Sequence, residues 1–274
     1  MKPFIKWAGG KRQLVPILKE NMPKHYNQYY EPFIGGGALF FEIAPNKAHI
    51  NDYNKDLVTT YIEIRDNLDE LINLLKKYKE NNNKEFYLKI REQDRTSFYN
   101  QISDTKKAAR LLYMLRVCWN GLYRVNSKNQ FNVPYGTYKN PKIVDKELLS
   151  EISMYLNNND IKITNLDFEE AVKNAKKGDF VYFDPPYMPI SETSAFTSYT
   201  KKGFDYDEQL RLRDLFKELD SKGVNVMLSN SLTKEILDLY KDYEKTTIIV
   251  DVNRLISSKK SSRGVVQEVI IKNY

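Results

Sequence analysis

Asp184, Pro185, Pro186 and Tyr187 close a short apolar run, Val181-Tyr182-Phe183, and put an acid, a stiff turn and an aromatic ring into one small space. The run has the composition of a buried β-strand, and the prolines end it because they lack a donor and fix φ. The acid therefore falls at the carboxyl end of a strand, where open α/β sheets place their ligand crevices. Such a set can hold a planar base by its exocyclic amine. A carboxylate and a backbone carbonyl accept its N–H groups while the ring stacks on the base. A conjugated amine is a poor nucleophile, and fixed acceptors stabilise the positive charge that grows on it as it attacks a methyl group. The plainer alternative is a Pro-Pro turn in which Asp184 only bonds nearby backbone.

A turn of this kind needs a sheet to carry it. Tyr29 to Gly37 reads as a strand and a glycine loop, followed by a helix over Ala38 to Ile43 and a second strand over Ala48 to Asp52. This β-loop-α-β unit is how a nucleotide-binding sheet begins. Its glycines let a backbone come close to a ligand. Phe40 stands where a third fingerprint glycine would fall, which argues against a seated pyrophosphate and a nicotinamide cofactor. A nucleoside ligand without phosphates, such as S-adenosylmethionine, fits better; a loop serving only packing is the other reading. Asp52 could take a ribose diol or cap the segment from Asn54. Asp167-Phe168 follows a strand over Ile161 to Thr164 and could bind an adenine amine and cover its ring, unless Asp167 is an N-cap. Lys6, Trp7 and Lys11 could reach the amino acid's carboxylate or DNA, with Trp7 alternatively a half-buried anchor.

From Asp56 the texture becomes charged and helical, with a further helix over Ala108 to Trp119. A loop rich in turn residues follows, in which Val125, Phe131 and Val133 flank Ser127 to Asn129 and predict a β-hairpin. Arg124 could read guanine by bidentate contacts, with Asn120 and Asn126 as further polar contacts and Leu122 and Pro134 against a thymine methyl. Tyr138, Lys139 and Lys142 could take phosphates. An ordinary solvated hairpin would carry the same residues. The α/β pattern resumes with a helix to about Leu156, helices over Asp207 to Ser221 and to Tyr240, and strands over Val224 to Leu228, Thr246 to Val252 and Val265 to Lys272. Loops rich in Ser, Thr and Tyr (Pro189 to Gly203) and in Lys and Ser (Lys259 to Gly264) join them. The 274 residues thus read as one α/β sheet carrying a mostly helical insertion.

Composition narrows the classes. A net charge of +7 with a pI of about 9.1 favours a polyanionic partner. No run is long and apolar enough for a membrane span, and the amino terminus lacks a signal-peptide pattern. A lone Cys118 and only His25 and His49 argue against disulfides and a zinc site, and Cys118 reads as inert core in a cytoplasmic protein.

Taken together the motifs resemble the Dam-type DNA adenine-N6 methyltransferases, in the branch that methylates GATC, and in the order of that family over nearly the whole chain. Phe4 to Lys11 is similar to its amino-terminal cofactor motif and Glu31 to Gly37 to its glycine motif. Asn51-Asp52 is similar to its ribose-binding acid, Asp167-Phe168 to its adenine-binding pair and Asp184-Pro185-Pro186-Tyr187 to its catalytic signature. Asn120-Gly121-Leu122-Tyr123-Arg124 with Asn132-Val133-Pro134-Tyr135-Gly136 resembles its GATC-reading hairpin. The resemblance implies a Rossmann-like S-adenosylmethionine-dependent core over residues 1–55 and 143–274 and an inserted target-recognition domain over 56–142. It implies cofactor contacts from Trp7, Lys11, Phe33, Gly35, Gly37, Asp52, Asp167, Phe168 and Asp184. Asp184 and the Pro185 carbonyl would accept from adenine N6, with Tyr187 stacked on the flipped base. Asn120 would fill the duplex while Arg124, Leu122 and Pro134 read bases and Lys6 meets an outer pair. A monomer acting on double-stranded DNA at the nucleoid, with no metal, is the expectation. A cognate restriction endonuclease would need no direct contact.

Overall fold

Strand residues alternate between two faces, and β4 (Phe180–Phe183) shows the division. Phe180 and Tyr182 pack on one side with Tyr29, Met227 and Ile270, whereas Val181 and Phe183 pack on the other with Tyr30, Val226, Leu228 and Ile271. Burial on both faces explains why this strand reads as a continuous apolar run. The computed structural model describes residues 1–7, 9, 11, 13–188, 204–253 and 265–274. Within it, β1 (Tyr29–Glu31), β2 (Lys47–Asn51), β3 (Asp160–Thr164), β4, β5 (Asn225–Ser231), β6 (Ile248–Asn253) and β7 (Val265–Lys272) form one sheet in the order β3-β2-β1-β4-β5-β7-β6.

The chain starts at β1, moves outward through β2 and β3, and returns to lay β4 on the other side of β1, all in parallel with β5. The strand order reverses between β1 and β4, and a ligand crevice belongs at the carboxyl ends of strands at such a point. The motifs at Glu31 and Asp184 therefore face one another by topology. β7 runs antiparallel to both β5 and β6, and its register sets Glu268 opposite Ser231, at the same edge of the sheet.

The helices follow their local signals. α1 (Val15–Glu20) carries Pro16 in its first turn, and α2 (Ala38–Ile43) has the expected span. α3 (Lys55–Asp66), α4 (Leu68–Glu80), α5 (Lys84–Glu92) and α6 (Asp104–Val117) make up the helical stretch. Side-chain oxygens of Asn54, Asn83 and Ser103 cap α3, α5 and α6 by accepting from Leu57, Phe86 and Lys106 N–H groups. α3 packs on α6 and also on β3 and α7 (Lys146–Asn158), so Leu57, Tyr61, Leu111 and Ile152 share one apolar cluster with a face of the sheet. α8 (Phe168–Val172), α9 (Tyr206–Ser221) and α10 (Lys234–Leu239) complete the order.

Two expectations are revised. The helix predicted to reach Trp119 stops at Val117, because Cys118 turns extended and bridges Tyr135. The Trp119 N–H then donates to the Pro134 carbonyl and the Gly136 N–H to the Val117 carbonyl, at 2.9 and 2.8 Å. The hairpin is closed by isolated bridges, Cys118–Tyr135 and Val125–Phe131, rather than by continuous strands. The loops Pro189 to Gly203 and Lys259 to Gly264 lie outside the described residues, as do Ala8, Gly10 and Arg12. Among the described residues no helix is long and apolar enough to cross a membrane.

Candidate active site

The turn after β4 is held by side chains from α9, β5 and β7. The Gln209 side chain on α9 donates to the Pro186 carbonyl at 3.1 Å and accepts from Asn230 at 3.1 Å. Asn230 in turn accepts from the Met188 N–H at 3.1 Å, and the Ser231 hydroxyl donates to the Met188 carbonyl at 2.7 Å. Gln209, Asn230 and Ser231 are all buried, so these bonds form away from competing water. The Tyr187 hydroxyl donates to Glu268 at 2.7 Å. Among the described residues no group donates to the Pro185 carbonyl. One fixed carboxylate, a carbonyl with spare acceptor capacity and a tethered ring therefore meet at the carboxyl end of β4.

Lys11 joins this group. Its ammonium lies 3.0 Å from Asp184, 3.8 Å from Glu268 and 3.9 Å from the centre of the Tyr187 ring. Burial pushes the Asp184 carboxyl up to about 6, although Lys11 pulls the other way. Burial, then the neighbouring carboxylates Asp184 and Glu268, raise Tyr187 well above its ordinary value, so the phenol remains a donor. Lys11, expected to meet a cofactor carboxylate or DNA, is placed at the Asp184-Tyr187 turn.

The other end of the crevice is organised by Asn51 and Asp52. Buried Asn51 donates to the Pro32 and Leu166 carbonyls and accepts from Thr164 and the Leu166 N–H, which staples the ends of β1, β2 and β3 together. Asp52 accepts from the Gly35 and Asn54 N–H groups, both at 2.9 Å. Capping of α3 falls to Asn54, and Asp52 ties the glycine loop to β2; a carboxylate still has lone pairs for a ribose diol. Burial pushes Asp52 up to about 6 against those two N–H groups. Gly35 and Gly37 have φ of 49° and 69°, in the left-handed region. Trp7 and Tyr61 come close to the loop: a Cβ on Gly35 would meet the Trp7 ring at 3.0 Å and one on Gly37 the Tyr61 hydroxyl at 2.7 Å. Trp7 also stacks on Tyr123 at 4.7 Å, as an anchor between the glycine loop and the helical stretch.

Asp167 caps α8 through the Glu169 N–H and takes Arg211 at 3.1 Å. Phe168 is buried beside Phe33 and Phe204, with Arg211 over its ring. Lys11 and Arg211 are paired with carboxylates. Carboxylates at the ends of β2 and β3 with aromatic rings beside them suit a nucleoside such as S-adenosylmethionine better than a phosphate ligand. Asp52 would hold its ribose and Asp167 its adenine amine.

Around the hairpin most of the expected residues are solvent-accessible. Lys6 is exposed, and its stem lies against Gly121, where a Cβ would meet it at 3.2 Å. Lys6, Gly121, Tyr138 and Lys142 line one cleft. Asn120 and Pro134 are exposed and Leu122 half-buried; Asn120 adopts a φ of 55°. Arg124 is exposed, but its guanidinium turns onto Asn132 at 2.7 Å. Asn126 also has internal partners. Its oxygen accepts from the Lys128 and Gln130 N–H groups and its amide donates to Gln130, so it builds the turn. Lys142 is paired with Asp145 at 2.8 Å. The backbone of the hairpin is anchored from α5 and the short helical turn after it. Asp94 accepts from the Phe131 N–H, Arg95 donates to the Phe131 carbonyl, and Tyr87 donates to the Val133 carbonyl.

A family model of D12 class N6 adenine-specific DNA methyltransferases matches residues 7–256. The chain belongs to that family. It is 60% identical over 274 residues to the type II methyltransferase M1.LlaDCHI of Lactococcus lactis subsp. cremoris, a match covering 100% of this chain and 96% of the relative. It is 40% identical over 292 residues to the type II methyltransferase M.MjaIII of Methanocaldococcus jannaschii, covering 100% and 99%. A DNA adenine methylase of Vibrio cholerae is 34% identical over 275 residues, covering 98% and 95%. The protein is an adenine-specific DNA methyltransferase, and S-adenosylmethionine is the methyl donor of the D12 class. Sequence reasoning did not find Glu268, Gln209, Asn230, Ser231 or Arg211. Each is an ordinary polar residue in its own segment, and only Asn230-Ser231 at the end of an apolar strand gave a local signal.

Proposed function

We propose that this D12-class methyltransferase modifies N6 of adenine in double-stranded GATC, acting on a base turned out of the duplex. Turning out is a physical requirement, since a stacked and paired amine cannot meet a methyl donor. The observation that carries the chemistry is the clamped turn: Asp184 and the Pro185 carbonyl accept from the amine, and Tyr187, tethered through its hydroxyl, stacks on the ring. S-adenosylmethionine, when bound, supplies the methyl group on a sulfonium centre, so no covalent intermediate with the protein is needed. Asp184 and the Pro185 carbonyl stabilise the charge that grows on the amine nitrogen as its lone pair forms the new bond, and Asp184 is placed to take the proton released.

Residues 56–142 serve as the target-recognition region and the remainder as the catalytic one, so that one chain suffices. Arg124, once it exchanges Asn132 for a base edge, reads guanine, with Leu122 and Pro134 against neighbouring bases and Asn120 in the gap. Lys6 and Tyr138 hold the flanking backbone or outer pair. The likeness of the hairpin to that of GATC-reading enzymes supports the site. Likeness to type II methyltransferases supports a role in protecting DNA from a restriction endonuclease, without direct contact. Labelled S-adenosylmethionine with two short duplexes, one holding GATC and one with those bases permuted, tests the reading. Label in GATC alone, with discrimination relaxed by about 1–3 kcal/mol in Arg124→Ala, is expected. Equal label in both duplexes overturns the assigned site.

A further inference from the structure

Lys11 holds the two places that the target base must take. Its ammonium sits 3.0 Å from the Asp184 carboxylate and lies on the face of Tyr187, 3.9 Å from the ring centre. An adenine stacked on Tyr187 with its amine on Asp184 would meet the same atoms. Both cannot be there, so Lys11 must move as the base enters. A buried ammonium cannot move to an unpaired position without a desolvation penalty. Glu268 stands 3.8 Å away on β7, held at the sheet edge by its register with Ser231, and its oxygen already accepts from the Tyr187 hydroxyl. We propose that Glu268 is a positioning residue of the methyltransfer reaction. It tethers Tyr187 and takes over the Lys11 ammonium when the target amine displaces Lys11 from Asp184.

The exchange has a chemical consequence at Asp184. Lys11 lowers the proton affinity of that carboxylate, which burial otherwise raises. Moving the ammonium to Glu268 strengthens Asp184 as an acceptor at the step where the amine has gained its methyl group and must lose a proton. Atoms balance simply: the nitrogen–carbon bond forms, the sulfur–carbon bond breaks toward sulfur, and the N6 proton passes to Asp184.

This inference rests on the proposed seating of adenine at Asp184 and Tyr187. The test is a double-mutant cycle of Glu268→Gln and Lys11→Met. Gln keeps an acceptor for the Tyr187 hydroxyl and removes the charge; Met keeps the stem of Lys11 and removes the ammonium. Base entry is read from the permanganate reactivity of the thymine opposite the target adenine in a GATC duplex, with S-adenosylhomocysteine bound, so that the target keeps its amine and transfer is not required. Glu268→Gln is expected to lower the entry equilibrium about tenfold when Lys11 is present, and by less than about twofold in the Lys11→Met background. An equal fall in both backgrounds, or none in either, overturns the exchange. The underlying seating is tested separately with Asp184→Ala, whose unchanged turnover would defeat that reading whatever the cycle shows.

Discussion

The Asp184-Tyr187 turn and the hairpin at Asn120 to Tyr135 are built on opposite plans. At the turn, Gln209, Asn230, Ser231 and Glu268 hold backbone carbonyls, a backbone N–H and the Tyr187 hydroxyl, and three of the four are buried. At the hairpin Asp94, Arg95 and Tyr87 grip backbone at Phe131 and Val133, the inward side chains of Phe131 and Val133 join the core, and the outward side chains bond one another, as Arg124 does Asn132. The difference suits the two tasks proposed for them. Stabilising a developing charge requires acceptors that do not reorganise. Reading base edges requires side chains that can exchange an internal partner for one on the DNA.

The sharpest way to break this contrast is to free the hairpin from its anchor. Asp94 pairs with Arg110, which is almost fully buried, at 2.7 Å while accepting from Phe131. Asp94→Ala leaves that charge unpaired and is expected to cost about 3–5 kcal/mol of stability, measured by denaturant unfolding. Discrimination between GATC and permuted duplexes should fall with it at temperatures where the protein remains folded. Retained stability and discrimination would show that the hairpin is held elsewhere.

Next comes the turn itself. Asp184→Asn keeps the shape but offers a weaker, uncharged acceptor, and turnover is expected to drop about 10²–10³-fold. S-adenosylmethionine affinity, followed by calorimetry, should change far less. Comparable losses in both would move Asp184 from catalysis to cofactor binding.

The smallest effect is a titration. With its carboxyl near 6, Asp184 loses its charge as pH falls below that value and then becomes a donor where an acceptor is needed. Protonation of Asp184 alone is expected to lower kcat/KM about tenfold per pH unit on the acid side, with the profile flat above it up to neutrality. Asp52, pushed to about 6 as well, would add a second proton to the same limb. Replacing Asp52 by Asn should make the limb shallower, and a limb unchanged by Asp52→Asn assigns it to Asp184 alone.

Much of this was legible in the chain. A continuous apolar run and the prolines after it delimited β4, Asn54 marked a helix start, and the order of motifs placed Glu31, Asp52, Asp167 and Asp184 at strand ends. These features depend on neighbours within a few residues, where backbone preference and periodicity act. The stop of α6 at Val117 was not legible, because pairing of Cys118 with Tyr135 outweighs local helical preference there. The bonds by which Asn126 builds the turn were not legible either, because they depend on where Gln130 is brought in the hairpin.

By itself the sequence determined the strand, the stiff acidic turn and the aromatic beside it, because proline chemistry and apolar patterning are local. Tertiary structure decided which groups surround that turn. Lys11 and Asp184 are brought together by the meeting of the amino-terminal turn with the crevice of a doubly wound sheet. Glu268 faces Tyr187 only because β7 pairs with β5 in the register that opposes Glu268 to Ser231. A slip of one residue would turn that carboxylate to the other face.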